Sequence, residues 1–232
     1  MRIAGRTARN LPAVTVQGEL EQRKRYERGS EEFSRVLAFS DGMFAIAMTL
    51  LVVGITVPVL REGDSVGELG DALGDLTGSF VSFVISFLVI GRYWVAHHDF
   101  FARLRAMDAG LIWINTIYLM FIAFAPFPTA LLGNYFENPL AVTIYAVAVA
   151  AISGMEVVLF RHAHRNDLMK RKLPEDVYRW GVYMSTTPVL IFIGSIPLAF
   201  VHTWLAAASW YLTVPIFAVI QRWKPANVDE YF

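Results

Sequence analysis

Long apolar runs divide the chain into six segments that short polar connections separate. Each run has about 20 residues or more, the length that an α-helix needs to cross about 30 Å of hydrocarbon. The pattern predicts six membrane-spanning helices, here called spans 1 to 6. Their expected limits are residues 36–59, 77–101, 109–132, 139–161, 180–200 and 203–222. The predicted fold class is therefore an all-α membrane protein with six transmembrane helices per subunit.

Polar residues flank this apolar block on both sides. Residues 1–34 are predicted to form a cytoplasmic polar tail, residues 35–224 the six-helix domain and residues 225–232 a short cytoplasmic C-terminal tail. The N-terminal tail is expected to be disordered at first and helical towards "ELEQRKRYERGSEEF", because it is polar and strongly charged.

Lysine and arginine concentrate in the N-terminal tail, in the connections after spans 2 and 4, and at the C-terminus. Such residues mark the cytoplasmic side of a membrane protein. Both termini are thus expected to be cytoplasmic, which agrees with an even number of spans. The connection between spans 1 and 2 is acidic instead. Its Leu69, Leu73 and Leu76 recur at helical spacing and predict a short amphipathic surface helix.

Composition narrows the classes of function. Of the 232 residues, 56% are hydrophobic and 17% are charged, against about 25% charged in soluble domains. The net charge of zero does not indicate a nucleic-acid partner, and the lack of cysteine excludes disulfides, thiolate metal sites and a cysteine nucleophile. The first thirty residues are polar and basic without an apolar core, so we expect no cleavable signal peptide. We expect span 1 to direct insertion into the inner (plasma) membrane as part of a multi-pass protein.

Span 1 has two unlike faces. At about 100° per residue, Ile46, Leu50, Val53 and Val57 fall on one narrow apolar stripe, with Thr49 on its flank. Such a stripe fits a lipid-facing or core surface, and it also fits a pore lining whose apolar rings form a dewetting gate.

The opposite side of span 1 carries Asp41, with Ser40 beside it. An acid within the membrane usually faces protein or water and needs partners. Candidates at matching depth are Trp94 and His98, which are four residues apart on span 2, and Asn115 on span 3. We predict a hydrogen-bonded cluster of these five residues that fixes helix packing, with His97 at the lipid interface. The alternative to this structural role is a proton relay through Asp41.

Two further features lie outside span 1. Pro126 and Pro128 interrupt span 3 and predict a kink, which could shape the outer mouth of a pore. Glu156 is the acid of span 4, and we expect a structural ion pair with Arg161 or Arg179.

Residues 35–52, "RVLAFSDGMFAIAMTLLV", resemble the RxxxFSDGxFAIAxTLL signature of bacterial homologues of the endolysosomal potassium channel, the transmembrane protein 175 family. "YWVAHH" at the end of span 2 and "FIAFAPFPTALLG" in span 3 resemble other shared stretches of that family. The match covers spans 1 to 3 well, whereas the likeness of spans 4 to 6 is only architectural.

The resemblance implies a homotetramer in which helix 1 of each subunit lines a central pore. It implies that Ile46, Leu50 and Val53 form the constriction, with Thr49 at the family's threonine position. It further implies a helix-anchoring network, carried by the following residues. They are Arg35, Phe39, Ser40, Asp41, Trp94, His98 and Asn115. The expected partners are other copies of the chain and the lipid bilayer, and no cofactor is expected. Potassium is the expected permeant ion, and other monovalent cations are further candidates.

Three functions follow as hypotheses. The first is a potassium-permeable cation channel with passive flux, gated by the apolar rings of helix 1. The second is a secondary transporter that is proton-coupled through Asp41 and His98, although such proteins usually carry paired repeats and the sequence shows none. The third is an intramembrane hydrolase using Ser40, His98 and Asp41. It is disfavoured because adjacent helical side chains diverge by about 100°.

Overall fold

The structure is a computed structural model that describes residues 25–59 and 65–231. In chain order its elements are β1 (Arg25–Glu27), α1 (Glu31–Val53), α2 (Val66–Asp75), α3 (Thr77–Ala102), β2 (Ala106–Asp108), α4 (Ala109–Phe124), α5 (Pro126–Asn134), α6 (Pro139–Arg165), α7 (Glu175–Val201), α8 (Thr203–Trp210), α9 (Thr213–Arg222) and a 3₁₀ turn (Val228–Glu230). Six helical segments in the described residues are long and apolar enough to cross a membrane. They are α1, α3, α4 with α5, α6, α7, and α8 with α9. The prediction of six spans is confirmed.

The limits predicted for span 1 were wrong at both ends. Helix α1 begins at Glu31 because Ser30 caps it, its side-chain oxygen accepting a hydrogen bond from the Phe33 N–H at 3.2 Å. The helix ends at Val53, six residues before the predicted end. The Pro58 ring disfavours helical backbone in the residue before it, which excludes an extension to residue 59.

The end of the N-terminal tail forms a strand instead of the predicted helix. Strand β1 pairs antiparallel with β2, and Arg25 stands opposite Asp108. The pairing partner follows span 2 and is distant in sequence, so tertiary contacts override the local charge pattern. Residues 1–24 of the predicted tail lie outside the described residues.

Prolines break spans 3 and 6. Helix α4 ends at Phe124 and α5 begins at Pro126, which has no N–H to donate to the preceding turn. The helix is therefore interrupted at the predicted prolines. In span 6, α8 ends at Trp210 and α9 begins at Thr213, just before Pro215.

The acidic connection between the first two spans carries the predicted surface helix, α2, in which no residue is buried. Ser65 and Glu68 form a capping box at its start. The Ser65 backbone N–H and hydroxyl bond to the Glu68 carboxylate and lower the pKa of that carboxyl. The Leu69 and Leu73 side chains are 41% and 44% exposed and lie on the apolar side of the helix.

Buried hydroxyl groups tie the spans together. Ser86 on α3 lies 3.2 Å from the Tyr145 hydroxyl of α6, and Thr129 on α5 donates to Ser86 at 2.9 Å. A second pair joins α3 to α6 through Tyr93 and Ser153. Polar groups inside a membrane bundle need such partners because lipid supplies none. Together these bonds hold α3, α5 and α6 as one scaffold.

Candidate functional site

Helix α1 packs one face against that scaffold and leaves the other face open. The buried face is formed by residues three, four or seven positions apart along the helix. They are Phe33, Ser40, Phe44, Ala47 and Leu51. The helix is thus held along its whole length by the rest of the subunit.

The open face of α1 is the predicted apolar stripe. The exposed fractions are 55% for Ile46, 44% for Leu50 and 71% for Val53. Thr49 is also exposed, and its hydroxyl donates to the Ile46 carbonyl oxygen at 2.8 Å. The three aliphatic side chains therefore point away from the core of their own subunit.

A hydrogen-bonded chain joins the buried face of α1 to α4 and α3. The Asn115 amide donates to the Ser40 hydroxyl at 3.0 Å, and Ser40 donates to the Val36 carbonyl oxygen at 2.8 Å. The His97 nitrogen Nε2 lies 2.8 Å from the Asn115 amide oxygen, and because that oxygen only accepts, Nε2 donates. Ser40, His97 and Asn115 are all at most 3% exposed.

Asp41 is held at the flank of α1. The Trp94 indole N–H of α3 donates to its carboxylate at 2.9 Å. Trp94 is 40% exposed, so this bond lies at the edge of the subunit. The predicted contact between Asp41 and Trp94 is present, and it adds a second link between α1 and α3.

The prediction chose the wrong histidine. Asn115 bonds to His97, whereas His98 is exposed and only places its ring 5.9 Å from that of Trp94. Nor does His97 lie at the lipid interface, because it is 3% exposed. The reason is the orientation of α3 about its axis. Its buried residues near this end are four positions apart, and they are Tyr93, His97 and Phe101. That spacing was visible in the sequence and would have identified His97.

Aromatic rings surround His97. Its ring stacks on Phe101 at 4.3 Å and on Tyr118 at 5.5 Å between centroids. Phe44 of α1 lies 5.4 Å from the His97 ring and 6.0 Å from the Tyr118 ring. This cluster was not predicted, and it joins the buried face of α1 to α3 and α4.

A second unpredicted feature fixes the start of α1. The Arg28 guanidinium donates to the carbonyl oxygens of Phe101, Ala102 and Leu104, the closest contact being 2.6 Å to Ala102. These carbonyls lie at and just beyond the end of α3, where the helix has few N–H groups left to satisfy them, so a cation is stabilising there. With the β1–β2 pairing, this contact forms a clasp, residues 25–28 on residues 101–108, directly before the cap of α1.

The remaining predicted site residues stand apart from the network. Arg35 and Phe39 are exposed and form no hydrogen bond or ion pair in the described part of the chain. Glu156 faces Arg92 and Tyr118 and makes no ion pair with Arg161 or Arg179 among the described residues. The predicted pairing of Glu156 was wrong.

The site does not assemble hydrolytic or metal chemistry from the described residues. The Ser40 hydroxyl is engaged by Val36 and Asn115, so it does not meet Asp41 or His98 as the hydrolase hypothesis requires. No three histidine, aspartate or glutamate side chains among residues 25–59 and 65–231 converge as a metal site.

Comparison with known proteins shows that the chain is similar in sequence to potassium channels. The sequence model of the family described as "Endosomal/lysosomal potassium channel TMEM175" matches residues 35–126. A potassium channel of Streptomyces collinus is 40% identical over 138 residues, covering 58% of this chain and 66% of that protein. A potassium channel of Chamaesiphon minutus is 34% identical over 195 residues, covering 81% of this chain and 94% of that protein.

Solved structures agree with the sequence comparison. The crystal structure of a lysosomal potassium-selective channel TMEM175 homologue from Chamaesiphon minutus matches with a TM-score of 0.69 and 31% identity, covering 82% of this chain and 98% of that one. The T38A variant of the potassium channel MtTMEM175, solved with a nanobody–MBP fusion, matches with a TM-score of 0.60. At 20% identity, with 81% of this chain and 91% of that one covered, it supports the fold alone.

Proposed function

This chain belongs to the TMEM175 family, and we propose that it is a potassium-permeable channel in which α1 lines a central pore of a homotetramer. The observation that carries the proposal is the exposed stripe of Ile46, Leu50 and Val53 on a helix whose opposite face is anchored. An apolar face of this kind acquires a function when copies of the chain turn it towards a common axis.

The stripe would act as a hydrophobic gate. A ring of four aliphatic side chains cannot coordinate a cation, but it can keep a narrow neck free of water, which places a large barrier before a hydrated ion. Opening must widen or wet the neck at Ile46, Leu50 and Val53. Thr49 stands beside the stripe and offers a hydroxyl oxygen to a passing cation. Flux is passive and follows the ion gradient.

The charge distribution supports an inner-membrane protein with cytoplasmic termini. Strand β1, the connection after α3 and the connection after α6 meet at one end of the bundle, where Arg105 N–H donates to the Leu168 carbonyl oxygen at 2.9 Å. Arg171 donates to the Glu230 carbonyl oxygen at 2.9 Å, which brings the C-terminus to the same end. Basic residues thus gather on one side, as expected for the cytoplasmic face.

Potassium flux into liposomes tests this function. Purified protein should carry passive potassium flux under a gradient, and Ile46→Asn should raise the basal flux by wetting the neck. Val52→Asn is the matched control, because Val52 is 51% exposed but lies off the stripe. A lack of potassium flux in both the unmodified protein and the Ile46→Asn variant would contradict the proposal. So would equal effects of the two substitutions.

The transporter hypothesis makes a different prediction. It requires flux that saturates, couples to pH and disappears in Asp41→Asn. The Asp41 carboxylate accepts the Trp94 indole hydrogen at 2.9 Å, a contact that supports an anchoring role.

A further inference from the structure

A cavity of about 300 Å³, lined by apolar side chains and a few charged ones, lies between α3 on one side and α7 with α9 on the other. Its floor is formed by Tyr118 of α4 and by Glu156 and Leu159 of α6. Ligand cavities in proteins begin at about this volume. The cavity is separate from the exposed stripe of α1, and no step of the proposed gating uses it.

A buried hydroxyl without a partner lies in the floor of the cavity. Tyr118 is 0% exposed, and its hydroxyl has no hydrogen-bond partner in the described part of the chain. Glu156 faces this hydroxyl, but the two groups do not reach hydrogen-bonding geometry. Leaving such a group unpaired destabilises the protein. The Tyr118 hydroxyl is covered in this structure, so a ligand atom pairs with it when the neighbouring side chains shift.

The charged side chains that line the cavity balance one another in number. Arg92 and Arg103 stand against Asp99 and Glu156. Arg92 acts on Glu156 through its charge, yet the two make no ion pair within 4 Å among the described residues. Glu156 is half-buried in a membrane-spanning helix, where an ionisable side chain is costly and usually serves a function, whereas Arg92 is exposed at the edge of the cavity. A ligand that fits between them needs a donor for the carboxylate, an acceptor for the guanidinium and no net charge.

The floor of the cavity leads directly to the pore helix. The Tyr118 ring stacks parallel to the His97 ring, with 5.5 Å between centroids and 6° between planes, and His97 also lines the cavity. Phe44 of α1 contacts both rings, and His97 bonds through Asn115 to Ser40 of α1. A ligand on Tyr118 would press on the cluster that fixes the buried face of α1.

We propose that this cavity binds a small zwitterion with a primary ammonium group and an anionic group, and that its occupancy is transmitted through Tyr118 and His97 to the gate. The ammonium donates to the Glu156 carboxylate and to the Tyr118 hydroxyl oxygen, and the anion accepts from the Arg92 guanidinium. The source of the zwitterion is either a soluble molecule or the headgroup of an ethanolamine lipid. The effect on the gate rests on the proposed channel function, whereas the binding itself does not.

Binding is tested on the full purified chain in detergent by thermal unfolding. The probes are glycerophosphoethanolamine, a short-chain phosphatidylethanolamine, and their choline counterparts, which lack ammonium hydrogens. We expect the ethanolamine probes to raise Tm and to bind at least tenfold more tightly than the choline probes. Stabilisation by the soluble probe alone assigns the site to a soluble zwitterion. Stabilisation by the lipid alone assigns it to a headgroup.

Two nearly isosteric variants locate the site. Glu156→Gln should weaken ethanolamine binding at least tenfold, and Tyr118→Phe should weaken it about threefold or more. Tyr183→Phe is the control, because Tyr183 is 54% exposed on α7 and does not line the cavity. Equal binding of ethanolamine and choline probes, no binding of either, or unchanged binding in Glu156→Gln and Tyr118→Phe would overturn the site. If one variant fails to fold, the other still decides.

Potassium flux separates the two proposals. At a probe concentration near its Kd, the effective ethanolamine probe should change flux at least twofold in the unmodified channel and much less in Glu156→Gln, which binds it at least tenfold more weakly. Binding without any change in flux overturns the coupling to the gate. Binding by a protein that carries no potassium flux under any condition overturns the proposed function and leaves the site standing.

Discussion

At the scale of single residues, two neighbouring histidines have opposite environments. His97 is 3% exposed, bonded to Asn115 and stacked between rings, whereas His98 is exposed beside Trp94. The sequence identified Asn115, Ser40 and Asp41 correctly, because polar groups within apolar runs need partners. It did not identify the histidine, because pairing Trp94 with a residue four positions on selected the wrong face of α3.

Replacing each histidine by alanine tests this assignment. His97→Ala removes a buried hydrogen bond and ring contacts with Phe44, Phe101 and Tyr118, so it should lower the free energy of unfolding by at least about 2 kcal/mol. His98→Ala should cost less than about 1 kcal/mol, as expected for an exposed side chain. Denaturant unfolding in detergent measures both values. A larger loss of unfolding free energy in His98→Ala than in His97→Ala would contradict the assignment of His97 to the network.

At the scale of elements, α1 is held at two levels. The clasp of residues 25–28 on residues 101–108 fixes its start, and the contacts of Ser40, Asp41 and Phe44 fix its first half. Apolar run length predicted the existence of all six spans. Their limits were less predictable, since the Ser30 cap and the pairing of β1 with β2 depend on a turn and on a distant segment.

Arg28→Gln tests the clasp. The guanidinium of Arg28 satisfies three carbonyl oxygens at the end of α3, and because the side chain is exposed its loss should cost only about 1 kcal/mol. Backbone amides of residues 26–30 should then exchange hydrogen about fivefold faster. Arg161→Gln is the control, because Arg161 is exposed and has no hydrogen bond in the described residues. Equal exchange in both variants would contradict a role for Arg28 in holding α1.

At the scale of the whole molecule, the subunit leaves the apolar stripe of α1 uncovered. Ile46, Leu50 and Val53 are exposed on a helix that is otherwise tightly anchored. Helical periodicity predicted this stripe, but periodicity does not distinguish a face that meets lipid from one that meets other subunits. Only neighbouring copies of the chain can decide between these surroundings, and the family to which the chain belongs favours the second.

Cysteine cross-linking decides this question most directly, because the natural chain contains no cysteine. Single Ile46→Cys and Val52→Cys variants, purified in lipid and oxidised with copper phenanthroline, carry the thiol on different sides of α1. If the stripe surrounds a narrow axis, Ile46→Cys should form disulfide-linked dimers readily and lose potassium flux, while Val52→Cys should do neither. Efficient cross-linking at residue 52 with none at residue 46 would show that the stripe faces lipid and would contradict the proposed pore.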